Sequence, residues 1–276
     1  MRTILVRSIS GICFIAIMVL GLILNEYLYA ALLSFMIISM MAEFYKMTMG
    51  KNYRFSRVLG IISGEFFFLL TFSVGAFNLP ISLLAFFFLP LIIVMSNSLY
   101  VKERDQFGEF AYLYTGILYI AVPLALSSFL VFRHGQPFNG LIMLCFFIII
   151  WSMDVGAYVA GSFLGQKYGK KLYPEISPRK SWIGFWGGMF MGILASLMLG
   201  WVGWFEFHWL HCILLGMVMS IAGTYGDLFE SQWKRHFDVK DSGSIIPGHG
   251  GMMDRFDSAL FAIPAGVIYM MIFSLL

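Results

Sequence analysis

The stretch GDLFESQWKRHFDVKDSGSIIPGHGGMMDRFDS, Gly226 to Ser258, decides how the rest of the chain is read. Its 33 residues hold six acids (Asp227, Glu230, Asp238, Asp241, Asp254, Asp257) and four bases (Lys234, Arg235, Lys240, Arg255). The whole chain of 276 residues has only 15 acids and 18 bases. On either side run apolar segments long enough to cross a bilayer. Charge is costly next to hydrocarbon and is kept there for function. A helical membrane protein with its reaction centre in this island is therefore expected.

Spacing within the island supports that expectation. Asp227, Glu230, Ser231 and Lys234 fall at i, i+3, i+4 and i+7, on one face of a helix. Asp254, Asp257 and Ser258 repeat the pattern on the next helix. Between them lies a polar loop ending in Pro247-Gly248-His249-Gly250-Gly251. Glycines let backbone approach a phosphate closely, and a loop feeding a helix N-terminus offers free N–H donors to an anion. Carboxylates at the same place suit a divalent cation bridging to phosphate oxygens. Helix caps in a solvated loop account less well for so many acids and bases together.

Working outward, the chain is 60% apolar and 12% charged, against about 25% charged in an ordinary soluble domain. Nine apolar segments of span length stand at about 5–24, 27–46, 58–77, 79–100, 110–132, 139–162, 183–204, 207–229 and 256–276. The predicted fold is all-α and polytopic, with about nine transmembrane helices. Residues 1–135 form N-terminal scaffold helices, and 136–276 form C-terminal helices with catalytic loops at the cytoplasmic face. With the N-terminus inside, 17 of the 18 Lys and Arg fall on cytoplasmic segments, and only Arg133 falls outside. That puts the charged island in the cytoplasm and the C-terminus outside. The slight excess of base is a topology signal and gives no reason to expect nucleic acid. No signal peptide with a small-residue cleavage site is evident. The three cysteines, Cys13, Cys145 and Cys212, sit in apolar runs without metal-ligand spacing.

The N-terminal half is chemically quiet. Glu43 lies near the cytoplasmic end of its span and is expected to reach water. Glu65 is deeper, and a bundle hydrogen bond and a site role stay open for it. The C-terminal half adds Asp154, in CFFIIIWSMDVGAYVAGSFLG, among small residues that suit close helix packing. It also adds Ser177-Pro178-Arg179-Lys180-Ser181, expected to open a helix. Hydroxyls and cations at a helix N-terminus suit a phosphate. Lys167, Lys170 and Lys171 are read as an ordinary cytoplasmic loop.

These residues carry a resemblance. Ser231-Gln232-Trp233-Lys234-Arg235, four residues, Lys240-Asp241-Ser242-Gly243, then Pro247-Gly248-His249-Gly250-Gly251-Met252-Met253-Asp254-Arg255-Phe256-Asp257 closely resembles the signature of phosphatidate cytidylyltransferases, the CDP-diacylglycerol synthases. Asp154 to Tyr158, Ile176 to Trp182 and Gly226-Asp227-Leu228 extend it over about residues 150–260. Trp233 departs from a smaller apolar residue, and Ile183 from a frequent Glu or Gln.

The resemblance implies transfer of a cytidylyl group from CTP to phosphatidate, with magnesium, at a bacterial plasma membrane. Such chemistry needs little base: a phosphomonoester, with its second pKa near about 6, is already largely dianionic. The difficulty is bringing two polyanions together, so metal and cations should do most of the work. On this reading Asp227, Asp254 and Asp257 hold Mg2+, with Asp241 at a second cation. Lys234, Arg235 and Arg255 neutralise phosphates, and His249 donates to a phosphate or the leaving pyrophosphate. Ser177, Arg179, Lys180, Ser231, Gly250, Gly251 and Asp154 bind substrate. The resemblance is compatible with a homodimer. The competing readings are a CTP-dependent lipid kinase, which would release CDP, and an ion-coupled transporter. A transporter should carry mid-membrane acids and an internal repeat; here the polar residues gather at one face.

Overall fold

The computed structural model describes residues 2–50, 53–100, 108–133, 136–246 and 250–276, with side chains from residue 9 onward. His249, assigned above to a phosphate, lies outside the described residues. The chain divides into two compact units, 1–140 with 241–255, and 141–240 with 256–276.

The first unit holds α1 (Arg2–Ile23), α2 (Glu26–Thr48), α3 (Arg54–Ala76), α4 (Ile81–Tyr100), α5 (Phe110–Val131) and the short turn α6 (Met253–Phe256), whose last residue opens the second unit. Asn25 caps α2 by accepting the Leu28 N–H at 2.9 Å. The opening of α4, Ile81–Phe87, is wound as a tighter 3-10 helix. A π-turn widens α5 over Ile117–Ala121, just before Pro123, whose ring cannot donate to the helix ladder. Tyr45 on α2 fixes these helices to one another. Its hydroxyl donates to the Leu113 carbonyl at 2.8 Å; a methyl at Gly60 would fall 2.8 Å from that hydroxyl, and one at Gly116 would fall 2.4 Å from the ring. The helices thus close around one tyrosine.

The second unit holds α7 (Leu141–Tyr168), a hairpin of β1 (Lys171–Tyr173) and β2 (Ser177–Ser181), α8 (Trp182–Trp201), α9 (Trp209–His236) and α10 (Ala259–Ile272). Small residues bring α7, α8 and α9 close. A methyl at Gly187 would stand 2.3 Å from the Ala160 side chain, and one at Gly216 would stand 2.8 Å from the Ile193 backbone. In lipid, where apolar surface gains little by leaving the solvent, such close approach supplies much of the cohesion. Phe146, Phe147, Met153, Met219, Leu260 and Ile263 fill the interior.

Among the described residues eight helices are long and apolar enough to cross a membrane, and α1 adds a shorter apolar stretch, Ile9–Ile23. Large apolar side chains such as Ile12, Phe88, Phe163 and Trp201 face outward, as lipid contact requires. The protein is an all-α polytopic membrane protein with one small hairpin. That hairpin corrects one expectation: Ser177, Arg179 and Lys180 lie on a strand paired with Lys171–Tyr173 and do not open a helix. Only Ser181 meets the helix start, accepting the Gly184 N–H at 3.2 Å.

Candidate active site

In the second unit four acids, from α7, α9 and the turn before α10, gather with two lysines. Asp227 comes from the middle of α9, and its Oδ2 meets Lys180 Nζ at 2.5 Å from the end of β2. One turn on, Glu230 is wholly buried and ion-paired with Lys234, four residues further along. Asp257 stands just before α10, accepting the Ser258 N–H at 2.7 Å. Ser258 Oγ donates to Asp154 Oδ1 on α7 at 3.1 Å. Asp257 lies within electrostatic reach of Asp227, Glu230 and Asp154 together. Packing that many like charges at a half-buried place is unfavourable unless cations share the space. Lys180 and Lys234 supply two.

The helical-face argument thus brings Asp227, Glu230, Ser231 and Lys234 together, and Ser231 Oγ points to Asp227 Oδ1 at a long 3.5 Å. Ser177 is half-buried on β2 and Arg179 exposed. Arg235 is exposed, donating weakly to the carbonyls of Ile176 and Val239, both at 3.4 Å. Its position above the hairpin leaves its guanidinium accessible.

In the first unit the signature loop is held by carboxylates. Asp254 accepts the Ser242 N–H at 3.0 Å, the Ser242 hydroxyl at 3.0 Å and the Gly251 N–H at 2.8 Å. Ile246 N–H donates to the Gly250 carbonyl at 3.0 Å. Gly250 has φ of 86°, which a side chain would resist, and a methyl there would sit 2.9 Å from Asp254 Oδ2. Asp241 and Arg255 are exposed at the loop's two ends.

Glu43 is the residue the sequence misled about. It is 5% exposed and does not reach water. Its carboxylate accepts the N–H groups of Met252 at 3.0 Å and Met253 at 2.9 Å, and the Ser242 hydroxyl at 3.3 Å. Closeness to a predicted span end was a poor guide, because a protein loop took the place of water. Glu65 resolves as a bundle hydrogen bond, accepting the Ser34 hydroxyl at 2.5 Å.

Among the described residues no three His, Cys, Asp or Glu side chains form a ready metal cage. Mg2+ does not need one. It keeps several waters and takes one or two carboxylates with substrate phosphates. Asp227 and Asp257, hard oxygen donors on neighbouring helix segments, fit that demand.

A model of the cytidylyltransferase family matches residues 5–273. The chain belongs to that family. A phosphatidate cytidylyltransferase of Bacillus subtilis is 35% identical over 183 residues, covering 66% of each chain. One from Staphylococcus aureus is 38% identical over 174 residues, 62% of this chain and 63% of the relative. One from Staphylococcus epidermidis is 39% identical over 175 residues with the same coverage. The aligned part spans just under two thirds of these relatives' length. In this cytidylyltransferase family member Glu230 and Ser258 stand where helical spacing put them, beside Lys234 and Asp154. What sequence reasoning missed is the hold of Glu43 on Ser242, Met252 and Met253. Glu43 left no local signal.

Proposed function

We propose that this protein is a phosphatidate cytidylyltransferase, joining CTP and phosphatidate to give CDP-diacylglycerol and pyrophosphate. The observation that carries the proposal is the gathering of Asp227, Glu230, Asp257 and Asp154 with Lys180 and Lys234, bordered in sequence by the long signature. In this reading the attacking atom is a phosphate oxygen of the lipid. It bonds to the α-phosphorus of CTP, and the bond from that phosphorus to the bridging oxygen breaks, sending pyrophosphate away. Asp227 and Asp257 would hold Mg2+, which would supply Lewis-acid stabilisation of phosphate charge; Asp254, expected from the sequence as a third ligand, is instead taken up by Ser242 and Gly251. Asp241, exposed at the start of the loop, would be the carboxylate for a second cation.

Lys180 and Lys234 answer the charge of two approaching polyanions. Arg235, exposed beside the hairpin, offers a planar fork to a phosphate. Ser177 and Arg179 lie on the same strand as Lys180 and extend that cationic edge. Ser231 and Asp154 orient their neighbours Asp227 and Ser258. Asp254 serves the loop that presents Gly250, Gly251 and Arg255. The N-terminus and this face lie in the cytoplasm, where CTP meets the lipid.

The test is purified protein given phosphatidate and CTP labelled at the α- or the γ-phosphorus. Label from the α position in the lipid product, with labelled pyrophosphate from the γ position, is expected. Label from the γ position in the lipid, with release of CDP, would replace this reading with a lipid kinase.

A further inference from the structure

Glu43 grips the signature loop from a helix far away in sequence. Among the described residues no cationic side chain forms an ion pair with it. Its two oxygens instead take two successive backbone N–H groups, Met252 to Oε1 and Met253 to Oε2, at the start of α6. A carboxylate there is favoured by the free amides of a helix start and, when buried, forms strong charge-assisted bonds. The glycines fit the same purpose. A methyl at Gly243 would lie 2.2 Å from Glu43 Oε1, and one at Gly251 would lie 2.6 Å from Oε2. The loop's small residues therefore make room for a carboxylate of this same chain. Together with Asp254, which takes the Gly251 N–H, Glu43 occupies three consecutive amides, 251 to 253, that sequence reasoning would offer to a phosphate.

We infer that Glu43 is a positioning residue: it fixes Ser242 and the turn 251–253 of the signature loop, and through them the placement of Asp254 and Arg255. α2 suits the task because Tyr45, two residues on, locks that helix to α3 and α5. The kinetic side of this inference rests on the proposed cytidylyl transfer; the conformational side stands without it.

The test compares wild type with Glu43→Gln and Glu43→Asp, purified in detergent. Glu43→Gln keeps the volume but turns one acceptor into a donor facing an N–H. Glu43→Asp keeps the charge but falls a methylene short of holding both amides. Three quantities are read: amide exchange of peptides covering 242–253, exchange of peptides in α2, α3 and α5, and kcat and KM for CTP. In Glu43→Gln the loop should exchange about tenfold faster or more, with the helices unchanged, as loss of a charge-assisted bond predicts. kcat should fall about 100-fold with KM for CTP little altered, the scale of a small misplacement of reacting groups. Glu43→Asp should recover part of kcat.

Unchanged loop exchange, or equal acceleration through α2, α3 and α5, would overturn the inference, the second showing a general structural role. So would wild-type kcat beside a loosened loop. A wild-type protein inactive towards CTP and phosphatidate would sink the proposed function alone, leaving the exchange data to judge Glu43. Should Glu43→Gln fail to accumulate, Gly243→Ala drives a methyl into the same carboxylate from the loop side. The same results are expected of it, and the same would overturn the inference.

Discussion

Replacing Gly251 with alanine should damage the protein more than a methyl added at any other described glycine of the signature loop. The new carbon would lie 2.4 Å from Ser242 Oγ, 2.6 Å from Glu43 Oε2 and 2.7 Å from Gly243 N. The hydroxyl can swing aside. The backbone nitrogen cannot, so the loop must shift by roughly 0.7 Å to reach an ordinary contact. Overpacking of this kind costs about 1–3 kcal/mol. Dislodging one bond to the Glu43 carboxylate adds about 1.5–3 kcal/mol. The expected loss of stability is then about 2.5–6 kcal/mol, and a shift of that size at the loop should cut turnover about 100-fold.

The assay is transfer of α-labelled CTP to phosphatidate in mixed micelles, beside thermal unfolding in the same detergent. Gly11→Ala is the control, because a methyl there meets nothing within 4 Å. Combining Gly251→Ala with Glu43→Gln should cost much less than the two losses together, since both release the same grip. A Gly251→Ala protein with wild-type rate and unfolding midpoint would refute the packing argument and the role given to Glu43.

Asp227→Asn and Asp257→Asn should each lower turnover by about three orders of magnitude, with the double variant little worse than either, as expected of residues sharing one cation; independent multiplication of the losses, read in the same assay, would separate their roles. Lys180→Met removes the cation beside Asp227 and should cost about 100-fold in rate while leaving the unfolding midpoint near wild type, because the pair is partly exposed. Ser258→Ala loses its bond to Asp154 and should cost about 1 kcal/mol of stability with turnover reduced less than about tenfold. A reporter that works only in the cytoplasm should be active when fused to the N-terminus and silent at the C-terminus, given the 17-to-1 division of Lys and Arg; activity at both ends would require an even number of spans.

What was legible in the sequence was what lipid imposes. Hydrocarbon forbids unpaired backbone and scattered charge, so the apolar spans and the island from Gly226 to Ser258 stand out without any structure. Helical spacing then put Asp227 and Glu230 on one face, and the structure keeps them there. The hairpin was less legible. Lys171–Tyr173 is three residues long and Ser177–Ser181 contains a proline, both weak strand signals. The Pro174-Glu175-Ile176 turn between them was the available cue. Glu43 could not be read at all, because its partners lie 199 to 210 residues further along and periodicity reports only on neighbours.

That long separation bears on how the protein is made. The first unit is completed by 241–255, the last part of the chain but for about one helix. During synthesis α2 enters the bilayer early, carrying a carboxylate whose partners have not yet been translated. Throughout that interval the acid is an unsatisfied polar group near the membrane, the kind of feature that quality-control proteases and insertion chaperones read. A ribosome stalled before residue 242 would release a chain whose helices are inserted but whose Glu43 has nothing to hold, and such a product should be cleared far faster than the finished protein.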